Sequence, residues 1–199
     1  MDINQDKKTL LLESALELIR DHGFHGTPVS MVAKHAGVAA GTVYTYFQSK
    51  DDMIKELYTY VKSQIYLEIS SKDDPRLPFQ SRFYALWKNM TGLYLAKPSF
   101  QRFMEQFISS PFNTAELQQS VDVWREWLEL FFQQGIEQNV LRPLSPKILA
   151  IMVLGSIISQ IRYLTYFNSK TQLMEEELGL IPQMVWDGIK RQELSDSYP

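Results

Sequence analysis

The sequence predicts an all-α fold: a small three-helix N-terminal domain joined by a long fourth helix to a larger helical domain, about nine helices in all. Three observations predict it. Apolar residues recur at helical spacing, and no alternating apolar/polar run reaches strand length. Glycines and prolines cut the chain into helix-sized pieces. The aromatic content also changes along the chain. Residues 1–50 hold four aromatics, Phe24, Tyr44, Tyr46 and Phe47, whereas twenty-one follow them, so two regions with different tasks are expected.

The elements follow in order. Leu11, Leu12, Ala15, Leu18 and Ile19 mark the buried stripe of the first helix. Gly23 is placed to end it in the left-handed conformation, with His22 in its last turn. Thr27 and Pro28 open the second helix, read as N-cap and first helical residue. Gly37 stops that helix, and a third, short helix runs from about Ala40 to Phe47. Ser49 caps the fourth helix, with Asp51 and Asp52 in the first turn where the dipole favours them. That helix continues to about Ser71, because nothing breaks it earlier. The polar linker "SSKDDPRLP" (70–78) follows. Further helices are expected over about 79–96, 99–109, 113–138, 146–167 and 171–192. Their breaks are Lys97-Pro98, Ser110-Pro111, Arg142-Pro143 with Pro146, and Asn168. Gly179 and Pro182 are expected to kink or split the last helix. The expected domains are 1–50 and 51–199.

Composition narrows the function classes. Hydrophobic residues make up 45% of the 199, enough for a sizeable core, and the 22% that are charged do not make a disordered chain. Cysteine is absent, which excludes disulfides, thiolate metal sites and cysteine nucleophiles and fits a reducing compartment. The N-terminus does not read as a signal peptide. The longest apolar stretch, "ILAIMVLGSII" (148–158), falls short of the roughly 20 residues a bilayer requires. A cytoplasmic protein with no membrane partner is expected. His22, His25 and His35 all lie near the N-terminus, so the larger domain has no His- or thiolate-based acid–base pair or metal site. No enzyme activity, cofactor or metal is expected.

A short helix, a glycine turn and a second short helix make a helix-turn-helix. Small Ala33 allows close helix approach, Gly37 supplies positive φ, Val38 and Val43 fill the wedge, and Phe47 anchors the second helix. Ala39, Ala40, Gly41, Thr42, Tyr44, Thr45 and Tyr46 are left without a core to face. Such a helix can lay its N-terminal end in a DNA major groove. Small residues let the backbone approach, methyls can meet thymine methyls, and the Tyr44 and Tyr46 hydroxyls can donate to phosphates. Lys50 adds a charge at the next helix start, and Thr27 marks a helix N-terminus that could meet a phosphate. The net charge of residues 1–50 is balanced: Lys7, Lys8, Arg20, Lys34 and Lys50 against Asp2, Asp6, Glu13, Glu17 and Asp21. DNA affinity must then come from placement rather than bulk field.

The run "TPVSMVAKHAGVAAGTVYTYFQSKDDMIKEL" resembles the DNA-binding domain of the TetR family of transcriptional repressors, over about residues 8–60. The resemblance implies an all-α homodimer, a palindromic double-stranded DNA operator, and a small-molecule effector that releases the DNA. By position, the family's DNA contacts fall on Thr27, Ser30, Ala40, Gly41, Thr42, Tyr44, Thr45, Tyr46 and Lys50. Two positions depart from the pattern. Ala39 stands where the family often has Ser, leaving the recognition helix without a side-chain cap, at a cost of about 1 kcal/mol. Ser30 stands where Arg is common. The uncharged stretch from Ala39 to Gln48 predicts a modest salt dependence and recognition by shape and methyl contacts.

In the larger domain Phe83, Trp87, Met90 and Tyr94 share one helix face. Phe100, Phe103, Met104 and Phe107 crowd the next helix, and Val121, Trp124, Leu128, Phe131 and Phe132 line a third. Plain core packing accounts for any one of them, but an aromatic-lined effector cavity accounts for their number. The candidate pocket is Phe83, Trp87, Met90, Tyr94, Phe103, Phe107, Trp124, Leu128, Arg162 and Tyr163. Other polar candidates are Arg82, Arg102, Glu105, Gln106 and Arg125. The stretch "SPKILAIMVLGSIISQIRYLTYF" is apolar nearly all round and must be covered on both sides, by a second copy of the chain or by its own core. Candidate interface residues are Met152, Ser156, Gln160, Val185, Trp186 and Ile189. The function expected is a ligand-responsive repressor released by an apolar or aromatic molecule. The alternative is a DNA-binding regulator without an inducer, whose second domain dimerises or binds a protein.

Overall fold

The helical periodicity is realised in a computed structural model that describes residues 3–119, 122–166 and 172–192. Ten helices occupy these residues: α1 (Ile3–His22), α2 (Val29–His35), α3 (Ala40–Tyr46), α4 (Lys50–Ser70), α5 (Phe79–Ala96), α6 (Pro98–Ile108), α7 (Ala115–Gln119), α8 (Val123–Glu137), α9 (Pro146–Tyr166) and α10 (Gln172–Ile189). No strand occurs among the described residues; an isolated antiparallel bridge pairs Leu141 with Lys190. The stretch expected as one helix over 113–138 is two, α7 and α8, which accounts for ten helices against the nine expected. Val121 and the Asn168 break lie outside the described residues.

The helices form two compact units. One holds α1–α3, α4 as far as Gln64, α6 and α7; the other holds α4 from Ile65, α5, α8, α9 and α10. This division by packing differs from the sequence boundary at 50/51. The reason lies in α6. Phe24, just past α1, meets Phe103 at 5.8 Å and Phe112 at 5.3 Å, both edge-on, while Tyr58 of α4 stacks on Phe107 at 4.1 Å. Gln106 donates to the Ile19 carbonyl at 3.4 Å. Aromatic pairs of this geometry add about 0.5–1.5 kcal/mol each beyond the area they bury.

In the first unit, α1 buries Leu11, Leu12, Ala15, Leu16 and Ile19; Leu16 takes the inward place expected of Leu18, which is half-buried. Met53, Ile54, Leu57 and Val61 of α4 are buried too. Lys8 pairs with Glu56 at 3.1 Å, and the Tyr60 hydroxyl donates to Glu13 at 3.0 Å, tying α4 to α1. Burial and the Glu13 carboxylate raise the Tyr60 pKa well above the usual phenol range. Lys62 forms a half-buried ion pair with Asp122, the last residue of this unit.

In the second unit the polar linker before α5 is anchored by Arg82. Its guanidinium is buried, grips the Asp73 carboxylate at 2.7 and 2.8 Å, donates to Gln134 at 2.9 Å, and lies over the paired Phe79 and Phe131 rings. Arg82, a polar candidate for an effector cavity, is thus held by its own chain. Gly135 is the contact point of α8: a Cβ there would lie 2.6 Å from the Phe79 ring and 2.7 Å from Leu141. Trp186 packs on Phe83 at 5.1 Å, near Phe79 and Tyr84.

α9 corrects the length argument made from sequence. Pro146–Thr165 contains an 18-residue stretch with a mean hydropathy of 1.7 and is long and apolar enough to cross a membrane by length and composition. Leu149, Val153, Ile157 and Ile161 nevertheless give it an inward face buried within the unit. α10 is neither split at Gly179 nor at Pro182; it runs through both.

Candidate nucleic-acid interface

The helix-turn-helix is built by the turn after α2. Gly37 stands at φ +68°, the Val38 N–H bonds to the Ala33 carbonyl at 2.9 Å, and the Gly37 N–H to that of Lys34 at 3.2 Å. This is a Schellman closure, in which two carbonyls left open at the helix end are satisfied at once. Gly23 closes α1 with φ +70°. On the far side, α4 is capped by Ser49: the Asp52 N–H donates to the Ser49 Oγ at 3.1 Å, and the Asp52 carboxylate accepts the Gln48 N–H at 2.8 Å. α3 is held between these two ends.

α3 buries only Val43 of its seven residues, and Phe47 just after it is buried as well. Two apolar anchors therefore fix it, and its outer face is unpacked. Ala40, Gly41, Tyr44 and Thr45 are exposed, Tyr44 to 60%; Thr42, Tyr46 and Lys50 are half-buried. Ser30 of α2 is exposed. None of these eight positions is buried. The Ala39 cap is bare: no side chain caps α3, and in its first turn the Thr42 N–H bonds to the Ala39 carbonyl at 2.9 Å. The helix carries neither acidic nor basic residues.

Thr27 needs correction. It is fully buried, and its hydroxyl donates to the Gly23 carbonyl at 2.8 Å. It closes the end of α1; Pro28 holds the N-cap position of α2, and no side chain caps that helix. The Thr27 hydroxyl is therefore not on offer to a phosphate.

The second unit's expected pocket residues are core. Phe83, Trp87, Met90, Tyr94, Trp124 and Leu128 are all buried, and burial raises the Tyr94 pKa well above the usual phenol range. Phe103 and Phe107, also buried, belong to the first unit. Arg162 is exposed and Tyr163 half-buried. α9 and α10 instead frame an open groove of about 470 Å³, bordered by Met152, Ser156, Gln160, Tyr163, Leu178 and Ile181 among others. Large apolar side chains stand exposed on the same two helices, Ile151 to 72% and Met184 to 69%. Among the expected interface residues Met152 is exposed, and Ser156, Gln160 and Val185 are half-buried. Trp186 and Ile189 are buried in the chain's own core, because α10 turns that face onto α5, and so are withdrawn from any interface. Sequence reasoning missed the Gln160 side chain, which accepts the Trp87 indole N–H at 2.9 Å and donates to the Leu178 carbonyl at 3.0 Å; the signal was Pro182, which stands four residues beyond Leu178 and has no N–H to offer that carbonyl.

Comparison with known proteins agrees with this architecture. Residues 11–57 match the family of bacterial regulatory proteins of the tetR type, and residues 78–190 match a tetracyclin repressor-like C-terminal domain. An uncharacterised helix-turn-helix transcriptional regulator of Haemophilus influenzae is 27% identical over 161 residues, covering 79% of this chain and 84% of that protein. A solved TetR-family regulator from Haemophilus influenzae superimposes with a TM-score of 0.81 at 24% identity, over 96% of this chain and 100% of the other. The transcriptional regulator FadR of Bacillus subtilis, solved with stearoyl-CoA, shares the fold with a TM-score of 0.72 at 20% identity, over 91% of this chain and 98% of the other. With both of its regions matched and its helix-turn-helix in place, the chain belongs to the TetR family of helix-turn-helix transcriptional regulators.

Proposed function

We propose that this regulator is a ligand-responsive repressor: a homodimer that holds a palindromic operator and releases it when a small apolar or aromatic molecule enters the second unit. The observation that carries the reading is α3, a helix fixed by Val43 and Phe47 that leaves Ala40, Gly41, Tyr44 and Thr45 exposed. Ser30, Ala40, Gly41, Thr42, Tyr44, Thr45, Tyr46 and Lys50 are its contact residues. Direct base contact falls to the methyl and hydroxyl groups of α3, phosphate contact to the tyrosines and Lys50. The homodimer pairs through the exposed parts of α9 and α10, with Met152, Ser156 and Val185 joined by Ile151 and Met184. α4 passes unbroken from the first unit into the second at Gln64–Ile65, so packing changes around its end reach the reading head along one helix. The effector must bind the non-reading form better, or the equilibrium does not shift.

The stearoyl-CoA complex of the Bacillus subtilis protein makes long-chain acyl thioesters the first compounds to try. The test is fluorescence anisotropy of a labelled operator with added acyl-CoA, free CoA or small aromatics. Release by an acyl or aromatic compound and not by CoA alone is the expected result. A second reading, a regulator without an inducer, is favoured by one observation: Phe83, Trp87, Met90 and Tyr94 are buried by the chain's own packing. Operator binding indifferent to every such compound would select it.

A further inference from the structure

Pro182 sits inside α10 and has no N–H, so the Leu178 carbonyl one turn earlier lacks its helical donor. The Gln160 side chain of α9 supplies one: its Nε2 donates to the Leu178 oxygen at 3.0 Å. The Oε1 of the same amide accepts the Trp87 indole N–H of α5 at 2.9 Å. An indole only donates and a carbonyl only accepts, so the amide serves both in a single orientation. Trp87 is buried in the aromatic core, whereas Gln160 and Leu178 border the α9–α10 groove. One amide thus joins the interior to the surface.

We propose that Gln160 is a positioning residue that couples the hydrogen bond of the Trp87 indole to the integrity of α10 at Pro182, and through it to the α9–α10 groove. While the indole donates, the amide is held with its nitrogen toward Leu178, and the turn before Pro182 is closed. Once the indole N–H is taken by another acceptor, the amide is free to turn and the Leu178 carbonyl loses this donor. A helix opens most readily at such a point, where proline has already removed one bond. Gly179 in the same turn adds backbone freedom. An effector with an acceptor group seated against Trp87 would therefore be sensed at the groove. That last consequence rests on the effector and homodimer reading above; the relay itself does not.

The test is hydrogen exchange by mass spectrometry on the full chain, following the segment 178–189. Trp87→Phe removes the donor while keeping an aromatic ring. Pro182→Ala returns a backbone N–H to Leu178 and makes Gln160 dispensable there. Trp87→Phe is expected to speed exchange in this segment about tenfold, the factor for one lost hydrogen bond worth about 1.4 kcal/mol. Trp87→Phe in the Pro182→Ala background should have no such effect. Gln160→Met should repeat the pattern without touching the aromatic core. Equal exchange in wild type and Trp87→Phe overturns the proposal. So does faster exchange that persists in the Pro182→Ala background, since that is general loosening of the core. Sedimentation equilibrium on the same samples keeps the two ideas apart: a monomeric wild type contradicts the homodimer, while the exchange data still decide the relay.

Discussion

At Gly37 the backbone stands at φ +68°, and a Cβ there would have open space around it. The demand is conformational rather than steric. Gly37→Ala should cost about 1–2 kcal/mol, the penalty of a left-handed L-residue, seen as a lower urea midpoint. Tyr44 is the reverse case, a large side chain 60% exposed with nothing structural to explain it. If its hydroxyl bonds a phosphate, Tyr44→Phe should weaken operator binding about tenfold, since a hydrogen bond to a charged group contributes about 1.5–3 kcal/mol. Unchanged affinity would remove Tyr44 from the phosphate contacts. Gly37, Ser49 and the bare Ala39 cap could be read from sequence because each acts within a few residues of itself. Thr27 could not. A Thr-Pro pair fits a helix start, and only the nearby Gly23 carbonyl shows that the hydroxyl closes the helix before it.

Among the elements, those bounded by glycine, proline or a capping serine were legible nearly to the residue, as α4, α5 and α6 show. What was not legible depends on partners distant in sequence. Nothing around Gly135 in the run "FFQQGIEQN" announces that α8 must approach Phe79 and Leu141 there. Because a Cβ would meet both below 2.9 Å, Gly135→Ala should destabilise the second unit by about 1–3 kcal/mol, the usual cost of overpacking. Calorimetry would measure it, and an unchanged melting temperature would mean that the contact yields freely. Pro182 likewise reads as a break from local rules alone. α10 continues through it with the freed carbonyl taken by Gln160, a residue on another helix.

For the molecule as a whole, the all-α class followed from periodicity, and the helix-turn-helix from its spacing of small, glycine and aromatic residues. The allocation of α6 to the first unit did not, because it depends on Phe24, Tyr58, Phe103 and Phe107 meeting. The expected effector pocket was read from aromatic abundance, and abundance alone cannot separate a lined cavity from a filled core. The central claim is that α3 presents a sequence-reading face on a paired molecule. It is tested most directly by selecting a pool of random DNA duplexes against the purified protein and sequencing the bound fraction. The account predicts an enriched inverted repeat with half-sites one helical turn, roughly 34–36 Å, or a multiple of it apart. Enrichment of a single unrepeated site would contradict the homodimer, and no enrichment at all would contradict the reading face itself.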